Sequence, residues 1–294
     1  MRVILLGSNG QLGKDLEIGL KNTHSLLSLS REECCITSMS NMSLIFNKFK
    51  PDVVINCAAY THVDDAEDNK DLCFLVNHIG VKNLAKLSVE LDFMLIHFST
   101  DYVFSAKENS PIEEDDPKGP LNVYGESKLY GENEILQNCS KYLIFRISWV
   151  YGIHGKNFPK TILNLAKKEK NLKIVNDQIG TPTPTTLVLD ALSKILNDLH
   201  KYNMEEVSGI YHLSPSGACS WYDVANEILK FIKDKKGFKL SSITPINSFE
   251  FSSKAKRPNF SQLSNKKINK TFNIKPLRWD IYLKRFLIQF YDGR

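Results

Sequence analysis

Arg2-Val-Ile-Leu-Leu-Gly7-Ser-Asn-Gly10-Gln-Leu-Gly13 runs from an apolar segment into a turn with a glycine at every third position, and the architecture follows from it. A short apolar run of this kind fits a strand buried on both faces. Gln11 to about Lys21 then shows the periodicity of an amphipathic helix. Glycines let the turn tighten and let the backbone at Gly7, Asn9 and Gly10 approach a pyrophosphate, which the helix N-terminus favours. The spacing is Gly-x-x-Gly-x-x-Gly rather than Gly-x-Gly-x-x-Gly. A plain tight turn would use the same residues, so the strand before and the helix after carry the reading.

Outward from this turn, strand and helix patterns alternate. Strands are expected at Leu26–Ser30, Val53–Asn56, Phe93–Phe98 and Leu143–Ile147, with helices near Leu44–Phe49, over Asp71–Leu91 and through Tyr124. That alternation predicts an α/β chain, a doubly wound parallel sheet of Rossmann type with helices on both faces. After Trp149 the rhythm loosens. Helices are expected at Asn157–Lys168, Asp190–Leu199, Trp221–Ile232 and Trp279–Phe290, and a short strand at Leu172–Val175. Thr181-Pro-Thr-Pro-Thr reads as turn or extended chain, and Ser241–Pro258 as surface loop. The expected division is a nucleotide-binding domain over residues 1–150 and a smaller, mainly substrate-binding domain over 151–294, with some later segments returning to the first.

The chain has 294 residues, 42% hydrophobic and 24% charged, the composition of a soluble globular protein. Its net charge of +5 is spread over lysines near Lys167–Lys173, Lys233–Lys239 and Lys266–Lys270. They read as a solvated, mildly basic face or as a field that attracts an anionic substrate. No compact basic and aromatic stripe points to nucleic acid. The six cysteines show no Cys-x-x-Cys and no metal-ligand spacing, so no metal ligands are assigned. No apolar stretch approaches the ~20 residues needed to span a bilayer. A cytoplasmic protein with reduced thiols and no membrane partner is expected.

Tyr124 and Lys128 stand four residues apart in Asn122-Val-Tyr-Gly-Glu-Ser-Lys-Leu-Tyr130. Four residues is about one helical turn, so phenol and ammonium project from one face. The ammonium favours the phenolate and is expected to lower the tyrosine pKa from about 10 toward working pH. The pair is a proton donor, and the glycine turn implies a nucleotide carrying a hydride; carbonyl reduction or the reverse oxidation is the expected chemistry. Thr100, after another strand, can hydrogen-bond a substrate oxygen beside Tyr124. Ala58 and Ala59, past the third strand in Asn56-Cys-Ala-Ala-Tyr-Thr61, are small enough for a cofactor to lie against backbone, although small residues also serve ordinary packing. Past the second strand stands Arg31 instead of an acidic residue; an arginine there accommodates a 2′-phosphate, so NADP(H) is expected ahead of NAD(H).

Taken in order, these segments resemble extended short-chain dehydrogenases/reductases. The likeness runs from Met1 to about Trp279, most specifically through Pro51–Asp64, His97-Phe-Ser-Thr-Asp-Tyr-Val-Phe104, Pro120–Lys128, Phe145–Tyr151, Asn176–Thr183 and Arg257-Pro258. It implies reduction of the C4 ketone of dTDP-4-dehydro-L-rhamnose to dTDP-L-rhamnose by hydride from NAD(P)H. Thr100, Tyr124 and Lys128 would be the catalytic triad, with Tyr124 the proton donor. Gly7, Gln11, Leu12, Ala58, Ala59, Thr61 and Lys128 would touch the cofactor. Thr100, Trp149, Asn157 and Arg257 would face the nucleotide sugar. A homodimer is a further implication.

Some positions depart from the family's pattern. Cys34-Cys35-Ile36-Thr37 stands where many relatives carry Leu-Asp-Ile-Thr, and Cys35 cannot replace that carboxylate as an acceptor. Asp15 lies where some relatives carry a glutamate linked to a metal at a dimer interface, which leaves a divalent metal such as Mg²⁺ open. His62 replaces a small residue and would narrow the sugar site. The alternatives are another nucleotide-sugar 4-keto reductase, an epimerase or a dehydratase of nucleotide sugars, the last typically with an Asp-Glu pair after the threonine, or a non-catalytic regulatory subunit of the same fold.

Overall fold

The computed structural model describes residues 1–105 and 110–293. The first half lays down β1 (Arg2–Leu6), α1 (Gln11–Leu20), β2 (Ser25–Leu29), α2 (Met39–Phe49), β3 (Val53–Asn56), α3 (Val63–Ala66), α4 (Lys70–Phe74), a π-helical turn (Leu75–Ile79), α5 (Gly80–Glu90) and β4 (Met94–Thr100). A 3₁₀ turn (Asp101–Val103), α6 (Val123–Asn138) and β5 (Tyr142–Ile147) follow. The second half holds α7 (Phe158–Ala166), β6 (Asn171–Val175), β7 (Ile179–Gly180), α8 (Thr185–Asp198), α9 (Met204–Val207) and β8 (Gly209–His212). It ends with β9 (Cys219–Ser220), α10 (Trp221–Ile232), β10 (Ser242–Ile246), α11 (Lys266–Phe272) and α12 (Trp279–Asp292).

Six strands form one sheet in the order β2–β1–β3–β4–β5–β8, every pair parallel. Alternate residues of each strand enter two separate cores. Val3, Leu5, Val53, Ile55, Met94, Ile96 and Phe98 pack with residues of α1, α8 and α11. Ile4, Leu6, Val54 and Leu95 pack with residues of α2, α5 and α6. By the same alternation Asn56 and His97 face the α6 side, and they are register partners across β3 and β4. A third core joins α7, α10 and α12 through Leu163, Ile228 and Phe286.

The expected parallel sheet and its helices on both faces are present, with shifted ends. α2 and α8 begin at Met39 and Thr185, about one turn earlier than their apolar stripes suggest. The helix expected over Asp71–Leu91 is interrupted by the π turn. The loop expected over Ser241–Pro258 is a correction: Ser242–Ile246 pairs in parallel with β6. β10 is largely exposed and contains Pro245, which edge strands tolerate, and its partner is remote in sequence.

Candidate active site

The order β2–β1–β3 makes the chain leave β1 on opposite sides, and the glycine turn lies at that switch point. Gly7 has φ +72°, and a Cβ there would meet the Ala58 nitrogen at 2.7 Å. Only glycine lets the two loops approach this closely. The Gly7 and Ser8 amides donate to Leu29 O, and the Gly10 amide to Gly7 O. Gly7 and Gly10 thus supply space and turn shape, which corrects the expectation that their amides point at a pyrophosphate. The open donors are one step further on: Gly10 caps α1 without a side chain, so no side chain occupies the first-turn amides.

Gln11 is tied across the crevice, donating to Val150 O at 3.0 Å and accepting from Asn157 Nδ2 at 2.7 Å. Leu12 points into the core, so it offers a cofactor only backbone. Arg31 is exposed beyond β2, while the Glu33 carboxylate folds back onto the Ser30 amide at 2.7 Å. Glu33 is therefore occupied, and the exposed guanidinium lies near Glu32 and the Cys35 thiol. Cys35 lies 3.1 Å from the Thr37 hydroxyl, whose hydrogen bond draws its thiol pKa down. Ala58 donates its amide to Asn56 Oδ1, and Asn77 clamps Tyr60 by accepting from its amide at 2.8 Å and donating to its carbonyl at 3.0 Å. The loop carrying Ala58, Ala59 and Thr61 is thus held from below. A dinucleotide with a 2′-phosphate fits these groups: a side-chain-free cradle, open helix amides and an exposed arginine.

At the C-terminal end of β4, Thr100 Oγ1 donates to Asp101 Oδ1 at 3.1 Å and accepts from the Tyr102 amide at 3.2 Å. Tyr124 opens α6, whose N-cap Asn122 accepts from the Gly125 amide at 2.8 Å. A Cβ at Gly125 would collide with the Tyr102 carbonyl, so the missing side chain lets α6 press on the turn after Thr100. Burial pushes the Tyr124 phenol above its usual range, and the Thr100 hydroxyl beside it opposes that rise. This corrects the expected acidification by Lys128. The Lys128 amino group turns to the strand side, donating to Phe98 O at 2.7 Å with His97 Nε2 at 3.1 Å. Burial lowers Lys128 itself to about 8. Tyr124 stands as a protonated phenol, the state a proton donor requires.

Tyr102 packs edge-on against Tyr124, ring centres 5.8 Å apart. Arg257 hydrogen-bonds Tyr102 and forms a two-toothed ion pair with Asp64, at 3.2 and 2.6 Å. Burial alone would lower the guanidinium pKa; Asp64 and Tyr102 together outweigh it and raise it. Arg257 therefore joins the Thr100–Tyr124 cluster through one ring. Trp149 is held at φ +46° and stacks on Trp221 at 3.6 Å and 11°. That face of the indole is taken by protein. Asn157 caps α7 through its oxygen and gives its amide hydrogens to Gln11 and Gly152 O, so its polar atoms all serve the fold.

Asp15 is bound to the Thr185 hydroxyl and lies 3.5 Å from His154 Nε2. Among the described residues no group of three or more His, Cys, Asp or Glu is placed to hold a metal. His62 is a largely exposed side chain, edge-on to Tyr60 and near Asp65. Sequence reasoning assigned nothing to Asn56, Asn77, His97 or Asp101. The first three are polar residues inside apolar strands or helices and nearly fully buried, a signal that was there to be read.

Comparison with known proteins gives a consistent result. The family described as RmlD substrate binding domain matches residues 1–291. The chain is 37% identical to a dTDP-4-dehydrorhamnose reductase of Salmonella typhimurium, covering 99% of this chain and 98% of that one. A crystal structure of dTDP-4-dehydrorhamnose reductase from Bacillus anthracis in complex with NADP superposes with a TM-score of 0.91 at 33% identity, over 98% of this chain and 99% of that one. The Clostridium acetobutylicum orthologue gives 0.90 at 37% identity, covering 98% of both chains.

Proposed function

Since the chain belongs to the RmlD substrate binding domain family, we propose that it reduces the C4 ketone of dTDP-4-dehydro-L-rhamnose to dTDP-L-rhamnose with NADPH. It is an NADP-dependent oxidoreductase. The observation that carries the residue roles is the gathering of Thr100, Tyr124 and Lys128 at the end of β4, beside the crevice of Gly7 and Ala58. NADPH, when bound, supplies the hydride. Tyr124 gives its phenolic proton to the C4 oxygen, with Thr100 aligning phenol and oxygen by hydrogen bonding. Lys128 holds the nicotinamide ribose from the floor of the crevice. Arg31 meets the 2′-phosphate, and the first-turn amides of α1 meet the pyrophosphate.

On the substrate side, Arg257 gives up Asp64 to pair with the diphosphate, and the free face of Trp149 packs on sugar or base. The part of residues 151–294 that does not return to the main sheet forms the sugar-nucleotide unit. The proposal includes a cytoplasmic, homodimeric protein; all six cysteines are free, as a reducing compartment keeps them, and no described helix is long and apolar enough to cross a membrane.

The test is oxidation of NADPH by purified protein with dTDP-4-dehydro-L-rhamnose, run beside UDP- and GDP-linked 4-keto sugars. Tyr124→Phe should lose roughly two orders of magnitude or more in kcat. Near-normal turnover in that variant removes Tyr124 from the mechanism. No turnover in the parent, with any of these sugars, supports instead the regulatory-subunit reading.

A further inference from the structure

Four hydrogen bonds run in series from the cofactor loop to Lys128. The Ala58 amide reaches Asn56 Oδ1 at 3.0 Å, Asn56 Nδ2 lies 3.0 Å from His97 Nδ1, His97 Nε2 lies 3.1 Å from Lys128 Nζ, and Nζ reaches Phe98 O at 2.7 Å. Every side chain in it is at most 2% exposed. The first link has a fixed direction, because a backbone N–H can only donate. Asn56 must therefore present its oxygen to Ala58 and its NH₂ to His97. An NH₂ group can only donate, so His97 Nδ1 must accept and carry no proton. A neutral imidazole then holds its proton on Nε2, aimed at Lys128. An ammonium at Lys128 would oppose that N–H with another donor, whereas an amine accepts it.

We propose that Asn56 and His97 are positioning residues that favour the neutral form of Lys128, so that this lysine titrates within the enzyme's working range. The proposal rests on the functional reading above only for Lys128's place in the reaction; the direction of the chain stands without it. The electrostatic surroundings agree. Burial lowers Lys128, and Glu132 on α6 raises it, as Cys73 on α4 and Cys57 after β3 would when ionised. His97, facing Lys128, is held well below its ordinary pKa by burial first and by the lysine, when charged, second. It therefore stays neutral and can serve as a fixed donor. Beyond Ala58 the chain ends in a backbone amide that exchanges no proton on the catalytic time scale. Its action is to set a charge, and no proton leaves through it.

His212 provides an internal reference. This second deeply buried imidazole has Nδ1 3.1 Å from Ile112 O and Nε2 3.5 Å from Arg146 Nη1. A carbonyl only accepts and a guanidinium only donates, so His212 must carry its proton on Nδ1. The two buried rings are thus opposite tautomers.

The experiment is ¹⁵N–¹H correlation of the imidazole nitrogens in the full-length wild-type protein across pH 5 to 9, which needs no turnover. Two rings should fail to titrate, one protonated on Nε2 (His97) and one on Nδ1 (His212). Two Nδ1-protonated rings would overturn the proposal. A second arm uses Asn56→Asp, whose carboxylate still accepts from Ala58 but now also accepts from His97 Nδ1. It should move His97 to the Nδ1 tautomer and shift the Lys128 limb of the kcat/KM–pH profile upward by a unit or more. An unmoved limb in a folded variant refutes the control of Lys128. If the wild-type tautomers are as stated but the parent reduces no 4-keto sugar, the functional reading fails and the chain's direction survives.

Discussion

Asp101, one residue past Thr100, lies in the interior with Oδ1 accepting from Thr100. Burial raises its pKa from 3.8 to about 6, against opposing hydrogen bonds from Ser261 and Thr100. Between those two values the folded state holds a proton that the unfolded state has released. Stability contributed by this group is therefore full at low pH and is lost as pH rises toward and through about 6. Asp101→Asn keeps the shape and abolishes the charge. Its melting temperature should gain on that of the wild type as pH is raised from 4 to 7, followed by calorimetry. A difference that stays constant over that range means that Asp101 does not titrate there. At this scale the sequence was generous with reactive groups and poor in their settings. Tyr124 and Lys128 were legible from spacing alone, but the direction in which the lysine turns depends on Phe98 and His97, which only the sheet register brings near.

At the scale of elements, α6 works because it is pressed against the turn after β4. A methyl group at Gly125 would strike the Tyr102 carbonyl and then Pro120. The helix would have to retreat, carrying Tyr124 from Thr100 and Lys128 from Phe98 O together. Gly125→Ala should lower kcat/KM by about tenfold or more and the melting temperature by several degrees, since overpacking costs about 1–3 kcal/mol. Wild-type kinetics and melting would show that the contact is slack. The elements that could be read were those whose signal is local: β1, β3 and β4 are apolar runs, and α10 carries both a capping box and a strong apolar stripe. The π turn at Leu75–Ile79 carries no such signal. It lets Asn77 face Tyr60 and Ser127 from inside an otherwise regular helix, and its reason lies in those remote partners. β10 was missed for a related reason, because half of its evidence is β6.

For the whole molecule, cofactor binding should be visible in stability, since a ligand that binds only the folded state adds RT ln(1 + [L]/Kd), about 2.7 kcal/mol at a hundredfold excess over Kd. NADPH should raise the melting temperature more than NADH at equal concentration. Arg31→Asp should erase that difference by removing the phosphate's partner while leaving the glycine cradle intact. Equal shifts in the wild type would mean that Arg31 is an ordinary surface residue. The two halves are also linked by charge: Lys254 pairs with Asp68 and Arg257 with Asp64, fastening a late segment of the chain to the helical turn after β3. The parallel sheet was legible from the alternation of runs, because each strand announces itself. Which strand completes it was not, because β8 is a four-residue segment separated from β5 by α7, β6, β7, α8 and α9.

That late strand has a consequence for how the protein is made. A ribosome delivers β1 to β5 in order, but the outer edge of β5 acquires its neighbour only when β8 emerges, after α7 and α8. At about 5–20 residues per second the nascent sheet carries an open, apolar edge for several seconds. Such an edge is a template for pairing with other chains. The half that carries the glycine turn is thus the first to be synthesised but cannot be the first to be finished. Its exposure to chaperones and to misassembly is set by the length of what was inserted before its last strand.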